Sequence, residues 1–412
     1  MSWVDRHRGL TASQRDWLRH REHLQRHRYE LGRRAVELYP DAMRVAGTPL
    51  LTRPEWLPAE PIPLDAIDLD FTPHVPCAGL VGDDPRGAGV RPERVDGSRC
   101  PTYSAAMAEF AAPSVFENRS TYRLLSADLS GPRGRLAFGR GSYFDGIDVG
   151  EASAHEYAAA RLNGSALPLR TAIGDPCDPT RRPMNLAISA LTVRHDRTTG
   201  DATFLLHWRD PAKVGHAGGL HMVIPVGIFQ ASSDQPWNER NDFSLWRCML
   251  REYAEELRGE SEDHGSDHVA IDYDSHPFFA RMTEARRAGE IRAWVLGLGV
   301  DPLTLATDLL AVVVFDAAVF DDLFSAAGGA NAEGDISRPI PLVSGEVERF
   351  TVNEPMQAAG AATLSLAPRV VDDAIQRDHH VAGSVAASSE GAGPGVLGPG
   401  EPGTAEEPGH GG

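Results

Sequence analysis

The sequence predicts a mixed protein, α+β or α/β. Three observations carry that expectation. Runs such as "IRAWVLGLGV" and "LAVVVFD" have the length and aliphatic content of buried strands. Segments with apolar residues at helical spacing fall among them without a strict alternation or an internal repeat. The chain has 412 residues and is 42% hydrophobic, which suits two ordinary domains with cores of their own.

Along the chain, Trp17, Leu24, Leu31 and Leu38 recur at seven-residue intervals, which predicts an amphipathic N-terminal helix over residues 1–40, ending at Tyr39-Pro40. Arg15, Arg19, Arg26, Arg33 and Arg34 fill its polar side, diluted by Glu22, Glu30 and Glu37. A single apolar stripe implies one docking surface, against the rest of the chain, a second copy in a homodimer, or a protein partner. Residues 41–180 form a smaller α+β unit. Its first part is rich in proline and glycine and reads as irregular, wrapping structure. "TYRLLSADLS" and "GRLAFGRGSYFDGIDVG" read as strand-like runs, with a helix over "EASAHEYAAARL". The His155-Glu156 pair in that helix lacks the second histidine four residues on that a zinc helix requires, since position 159 is Ala159. His155, Asp145 and Asp148 are therefore read as structural.

From Pro183 the pattern changes. "NLAISALTVRHDRTTGDATFLLHW" is two apolar runs joined at a polar turn with Gly200, a hairpin signature. A third run, "GGLHMVIPVGIFQ", leads to a helix over 243–258, then a helix at "HPFFARMTEARRAG", the two buried strands and a closing helix at 354–367. The tail at 381–412 is low in complexity and is expected to be disordered.

A net charge of -18 makes electrostatic attachment to nucleic acid or to anionic lipid a poor expectation. Cys77, Cys100, Cys177 and Cys248 show no zinc or disulfide spacing. Neither a signal peptide nor a membrane span is visible, and the expected location is the cytoplasm.

The helix 243–258 carries the chemistry. In "LWRCMLREYAEELRGESE", Glu252, Glu255 and Glu256 are three and four residues apart, so their carboxylates share one helix face. Either this is a solvated face, with Arg251 and Glu255 as an i,i+4 pair, or it is a site where Mg²⁺ or Mn²⁺ relieves the mutual repulsion. The order of hairpin, strand, Pro225-Val226-Gly227 turn and R-E-x-x-E-E helix resembles the Nudix superfamily. "REYAEE" supplies Arg251, Glu252, the apolar position as Tyr253, and the paired Glu255 and Glu256.

The resemblance implies a Nudix-like domain over 183–368, a mixed sheet sandwiched by helices. It implies metal held by Glu252, Glu255 and Glu256, with Glu252 also assisting the attacking water. Arg251 would position Glu252 or Glu255. The ligand would be a nucleotide-like phosphorylated small molecule, touched by Arg209 and Lys213 beside the second strand. The activity implied is Mg²⁺-dependent binding, with slow hydrolysis, of a nucleoside diphosphate-linked compound. The box departs from the family at its upstream glutamate, whose position is Phe243; Asp242 and Glu239 are nearby but out of register. The loop before the helix is also longer, since Gly227 lies 251 − 227 = 24 residues before Arg251 instead of 14.

"GSYFDGIDVGEASAHEYAAA" ahead of "FLLHWRDPAKVGHAGGLHMVIPVG" resembles actinobacterial proteins labelled as transcriptional regulators, some with a helix-turn-helix in front. The alternative function is thus a non-catalytic ligand sensor or regulator without a helix-turn-helix of its own.

Overall fold

The computed structural model describes residues 9–77, 79–113, 116–209, 218–261, 264–324, 329–330 and 334–371. The tail expected to be disordered therefore lies outside the described residues. The architecture is mixed α+β, as the patterning predicts.

The N-terminal stripe folds as two helices, α1 (Ala12–Arg26) and α2 (Arg28–Ala35). Thr11 caps α1 in a reciprocal box with Gln14. Two-residue strands β1 (Met43–Arg44), β2 (Leu51–Thr52) and β3 (Ile62–Pro63) punctuate the proline-rich stretch, before β4 (Ile67–Phe71) and helix α3 (Tyr103–Phe110). Strands β5 (Ser120–Asp128) and β6 (Gly134–Ser142) follow. The sequence suggests that β6 runs on through "YFDGIDVG", but the chain turns helical at Tyr143. Ser142 and Asp145 form a capping box there, which starts a short helix and a π-turn at Ile147–Glu151. Helices α4 (Ala152–Asn163) and α5 (Pro168–Ile173) complete this part.

The later elements match the apolar runs closely. They are β7 (Leu186–His195), β8 (Ala202–Phe204), β9 (Leu206–Arg209), β10 (His221–Val223), β11 (Val226–Ile228), α6 (Leu245–Arg258), α7 (Pro277–Arg287), β12 (Ile291–Val300), β13 (Thr307–Asp316) and α8 (Ala317–Leu323). Short strands β14 (Gly329–Ala330), β15 (Gly334–Ile336) and β16 (Ile340–Pro341) precede a final helix α9 over 358–371.

The main sheet runs β1-β2-β12-β13-β7-β8-β16, with β11 also on β7 and β3 on β12. Its centre is a parallel pair, β7 and β13, matched from Leu186↔Thr307 to His195↔Asp316. Both strands are buried almost throughout, as central strands covered on two faces should be. A four-stranded sheet, β10-β9-β15-β14, and a three-stranded one, β4-β6-β5, accompany it.

The first unit is not a separate globule. Backbone hydrogen bonds from Tyr122 to Phe229 and from Leu124 to Met184 attach β5 to the main sheet region. One continuous core includes Trp17, Leu136, Met249 and Phe315, and residues through Val371 form one compact unit.

The N-terminal stripe docks on its own chain: Leu24, Leu31 and Ala35 pack with Ala154, Tyr157, Ala158 and Leu303. Two arginines of the same face, Arg21 and Arg28, are buried and converge on Glu151. Arg21 Nη1 donates at 2.5 Å, and Arg28 donates to both carboxylate oxygens at 2.9 and 3.1 Å. His155 is structural, as expected. It bonds the Tyr103 hydroxyl at 3.1 Å and stacks on Trp17, and burial holds its pKa well below the usual histidine value. Asp148 accepts the Ser104 amide, and Asp145 caps Ser142.

Glu151→Gln should cost about 3–5 kcal/mol, because it leaves two buried guanidiniums without their counter-charge. Denaturant unfolding followed by circular dichroism measures this. A loss under about 1 kcal/mol would mean the carboxylate is not what holds α1 and α2 down.

Candidate functional site

Helix α6 starts where Ser244 accepts the Arg247 amide, and it stops at Gly259, whose φ of 69° fits a residue without Cβ. Leu245, Cys248, Met249, Leu250, Tyr253, Ala254 and Leu257 bury one face. Tyr253 is anchored to β7 by a 2.9 Å bond between its hydroxyl and that of Thr192.

Arg251 turns inward from this helix. It donates to the Tyr273 hydroxyl at 2.5 Å and to the Gln230 carbonyl at 2.6 Å, and it lies 3.8 Å from Asp242. Asp242 is fully buried, and it accepts from Ser232 and from the Tyr273 hydroxyl. Among the described residues, then, Arg251 forms no ion pair with Glu252 or Glu255. It orients the whole helix through Asp242.

Asp242 was out of register by sequence spacing, yet it is the acid that meets Arg251. Phe243, at the expected register, packs in an aromatic cluster with Phe71, Tyr122, Phe138 and Phe229, at centroid distances of 5.0–5.7 Å. Glu239 points elsewhere and pairs with Arg140.

The glutamates meet strand β11. Glu256 accepts the Val226 amide at 2.8 Å, and its other oxygen is 3.7 Å from His207 Nδ1. The Glu252 carboxylate occupies the space above Gly227: a Cβ there would come within 1.9 Å of it. Glycine is required for so close an approach. Glu255 is half-buried on the next turn. Carboxylates are the donors Mg²⁺ and Mn²⁺ prefer, but among the described residues Glu252, Glu255 and Glu256 do not form a group of three ligand atoms close enough to share an ion, and Glu256 is tied to the Val226 amide. A group with three ligand atoms within 4.8 Å of one another lies instead beyond the helix end, at Glu260, His264 and His276.

Val226, Gly227 and Ile228 also wall a cavity of about 280 Å³. It opens between the π-turn at Ile147–Glu151 and the main sheet, with apolar walls at Ile147, Met222 and Leu305. Arg209 lines it, as do Arg182, Asn185, Asp308 and Gln357, none of which the sequence singled out as functional. Lys213 lies outside the described residues.

Two of these side chains are electrostatically unusual. Arg182 is buried, and its hydrogen bonds go to the Pro176 and Pro183 carbonyls and to the Thr307 hydroxyl, all neutral groups. Burial pushes its pKa down to about 10, which leaves it charged at neutral pH. Asp308 is 1% exposed, accepts from the Ser189 hydroxyl at 2.8 Å through one oxygen, and has no hydrogen-bond partner for the other. Burial pushes its pKa up to about 7. A lone acid opening the apolar run "TDLLAVVVFD" was the available sequence signal for Asp308; nothing local marked Arg182.

Comparison with known protein families and with curated proteins finds no match to this chain. Among the described residues no helix is long and apolar enough to cross a membrane.

Asp308 carries a pH dependence. Its carboxyl takes up a proton in the folded state up to about pH 7, but in the unfolded chain only near 3.8. The folded state thus binds more protons between those values, and stability falls as pH rises through that window. Asp308→Asn should flatten this slope, as read from denaturation midpoints at a series of pH values. An unchanged slope would show that Asp308 titrates normally.

Proposed function

We propose that this protein binds a small anionic, nucleotide-like molecule in the cavity between the π-turn and the main sheet. Arg182 carries the reading: a buried cation on the cavity wall whose hydrogen-bond partners are all neutral is suited to an anionic ligand, which would supply a charged partner in direct contact. The cavity is near the lower end of small-molecule sites, roughly 300 Å³. Its apolar walls suit a base or other flat group, while Asn185, Gln357 and the Asp308 carboxyl offer hydrogen bonds. The R-E-x-x-E-E resemblance to Nudix helices supports a phosphorylated ligand, since α6 lies against the strand that walls the cavity.

Calorimetric titration with nucleoside mono- and diphosphates, with and without Mg²⁺, tests this. Arg182→Met should weaken binding by at least about tenfold, the scale of a lost charge-assisted hydrogen bond. Ala306→Leu, which fills part of the cavity, should weaken binding without removing charge. Equal affinity in both variants would place the ligand elsewhere.

A second reading is slow hydrolysis of a nucleoside diphosphate-linked compound. It is favoured by the Glu252 carboxylate lying over Gly227, which places the acidic helix at the cavity wall. A bound Mg²⁺ would supply charge neutralisation and an activated water. In this protein Arg251 fixes the helix through Asp242, and Glu256 fixes it to the Val226 amide. With excess Mg²⁺, nucleotide release should be slow in the wild type and lost in Glu255→Gln at equal ligand occupancy. Binding without release in both proteins would leave the sensor reading in place, and rapid turnover in the wild type would contradict the slow chemistry expected here.

A further inference from the structure

Beyond the end of α6, Glu260, His264 and His276 face one another. Glu260 Oε2 lies 3.9 Å from His264 Nδ1 and 3.9 Å from His276 Nε2. These separations are too long for hydrogen bonds between the groups. They are a little wider than the roughly 3.3 Å between neighbouring donors around a tetrahedral zinc ion with bonds near 2.0–2.1 Å. All three ligand atoms lie within 4.8 Å of one another, so they draw together when they bind one ion.

The surroundings hold the three groups in place. Arg258 Nε donates to the other oxygen of Glu260 at 2.6 Å, which leaves Oε2 turned to the imidazoles. His276 stacks on Phe279 with centroids 4.1 Å apart, and His264 packs edge-on against the same ring at 5.1 Å. The His276 Nδ1 atom is buried without a hydrogen-bond partner, so the ring's polar approach is through Nε2, toward Glu260. His264 has φ of 46°, a left-handed conformation that residues with a Cβ seldom adopt and that needs support from elsewhere.

We propose that Glu260, His264 and His276 form a zinc site that clips the end of α6 to the start of α7. Two imidazoles and one carboxylate are a borderline-soft donor set. It suits Zn²⁺ over Mg²⁺, which prefers oxygen donors alone, and it leaves the fourth position to water. The three residues are apart from those lining the cavity, so the site is additional to the ligand reading. It bears on the same helix all the same. The loop it closes carries Tyr273, whose hydroxyl bonds both Arg251 and Asp242.

The test uses the full chain, stripped with chelator and titrated with Zn²⁺ against a chromogenic competitor, with Co²⁺ as an optical probe. One equivalent of Zn²⁺ should bind, Co²⁺ should give visible d–d bands of tetrahedral intensity, and the metal should raise the melting temperature by several degrees. His276→Gln, Glu260→Gln and His264→Asn should each weaken binding by at least about tenfold. Asparagine at 264 tolerates the left-handed backbone, so that variant separates ligation from strain. Melting of each variant without metal shows whether it is folded, and any one folded variant suffices for the comparison. Absence of saturable binding to the wild type, or equal affinity in a folded variant, would overturn the proposal.

Discussion

The arrangement around the candidate site depends on one buried ion pair, Arg251 with Asp242. Neither charge could be left alone in the core without a penalty of several kcal/mol. They are satisfied together: Tyr273 bonds both, Ser232 donates twice to Asp242, and the Gln230 carbonyl takes a second guanidinium donor. This network ties α6 to the loops on either side of it. With the arginine fixed inward, Glu256 reaches the Val226 amide on β11. The long loop before α6 is thus packed structure, closed by Asp242 at one side and the Phe243 aromatic cluster at the other.

Charge compensation distinguishes the two sides of the cavity. Glu151, on the π-turn, serves two arginines from the N-terminal helices, and so its role is to hold those helices against the body of the protein. Arg182, on the other side, makes its hydrogen bonds only to neutral oxygens, with the Asp175 carboxylate acting on it from beyond hydrogen-bond range, and Asp308 accepts a hydrogen bond only from a hydroxyl. Buried charge is retained in proteins when something balances it. For Glu151 that balance is internal; for Arg182 the proposed ligand would add to it. The N-terminal stripe consequently contributes to the cavity indirectly, by fixing the π-turn that forms one wall.

The proposed reading joins the spacing of the glutamates in "REYAEE" with the geometry of the cavity beside the helix. The first speaks to the chemistry of the helix face, the second to the space beside it. They meet at Gly227, where the missing side chain admits the Glu252 carboxylate on one side while the backbone walls the cavity.

What the sequence by itself determined is what depends on local patterning. Continuous apolar runs identified β12 and β13 because strands covered on both faces exclude polar groups. Heptad spacing identified the N-terminal stripe, and three-and-four spacing put the glutamates of α6 on one face. Only the tertiary structure decided the partners. Arg251 meets Asp242, while Phe243, at the register position, packs in an aromatic cluster built from β4, β5 and β6, far away in sequence. Arg182, Asp308, Glu260, His264 and His276 became candidates only when folding buried them or brought them face to face. Burial and through-space distance set the energy of a charge or a ligand atom, and neither is written in the spacing of residues along the chain.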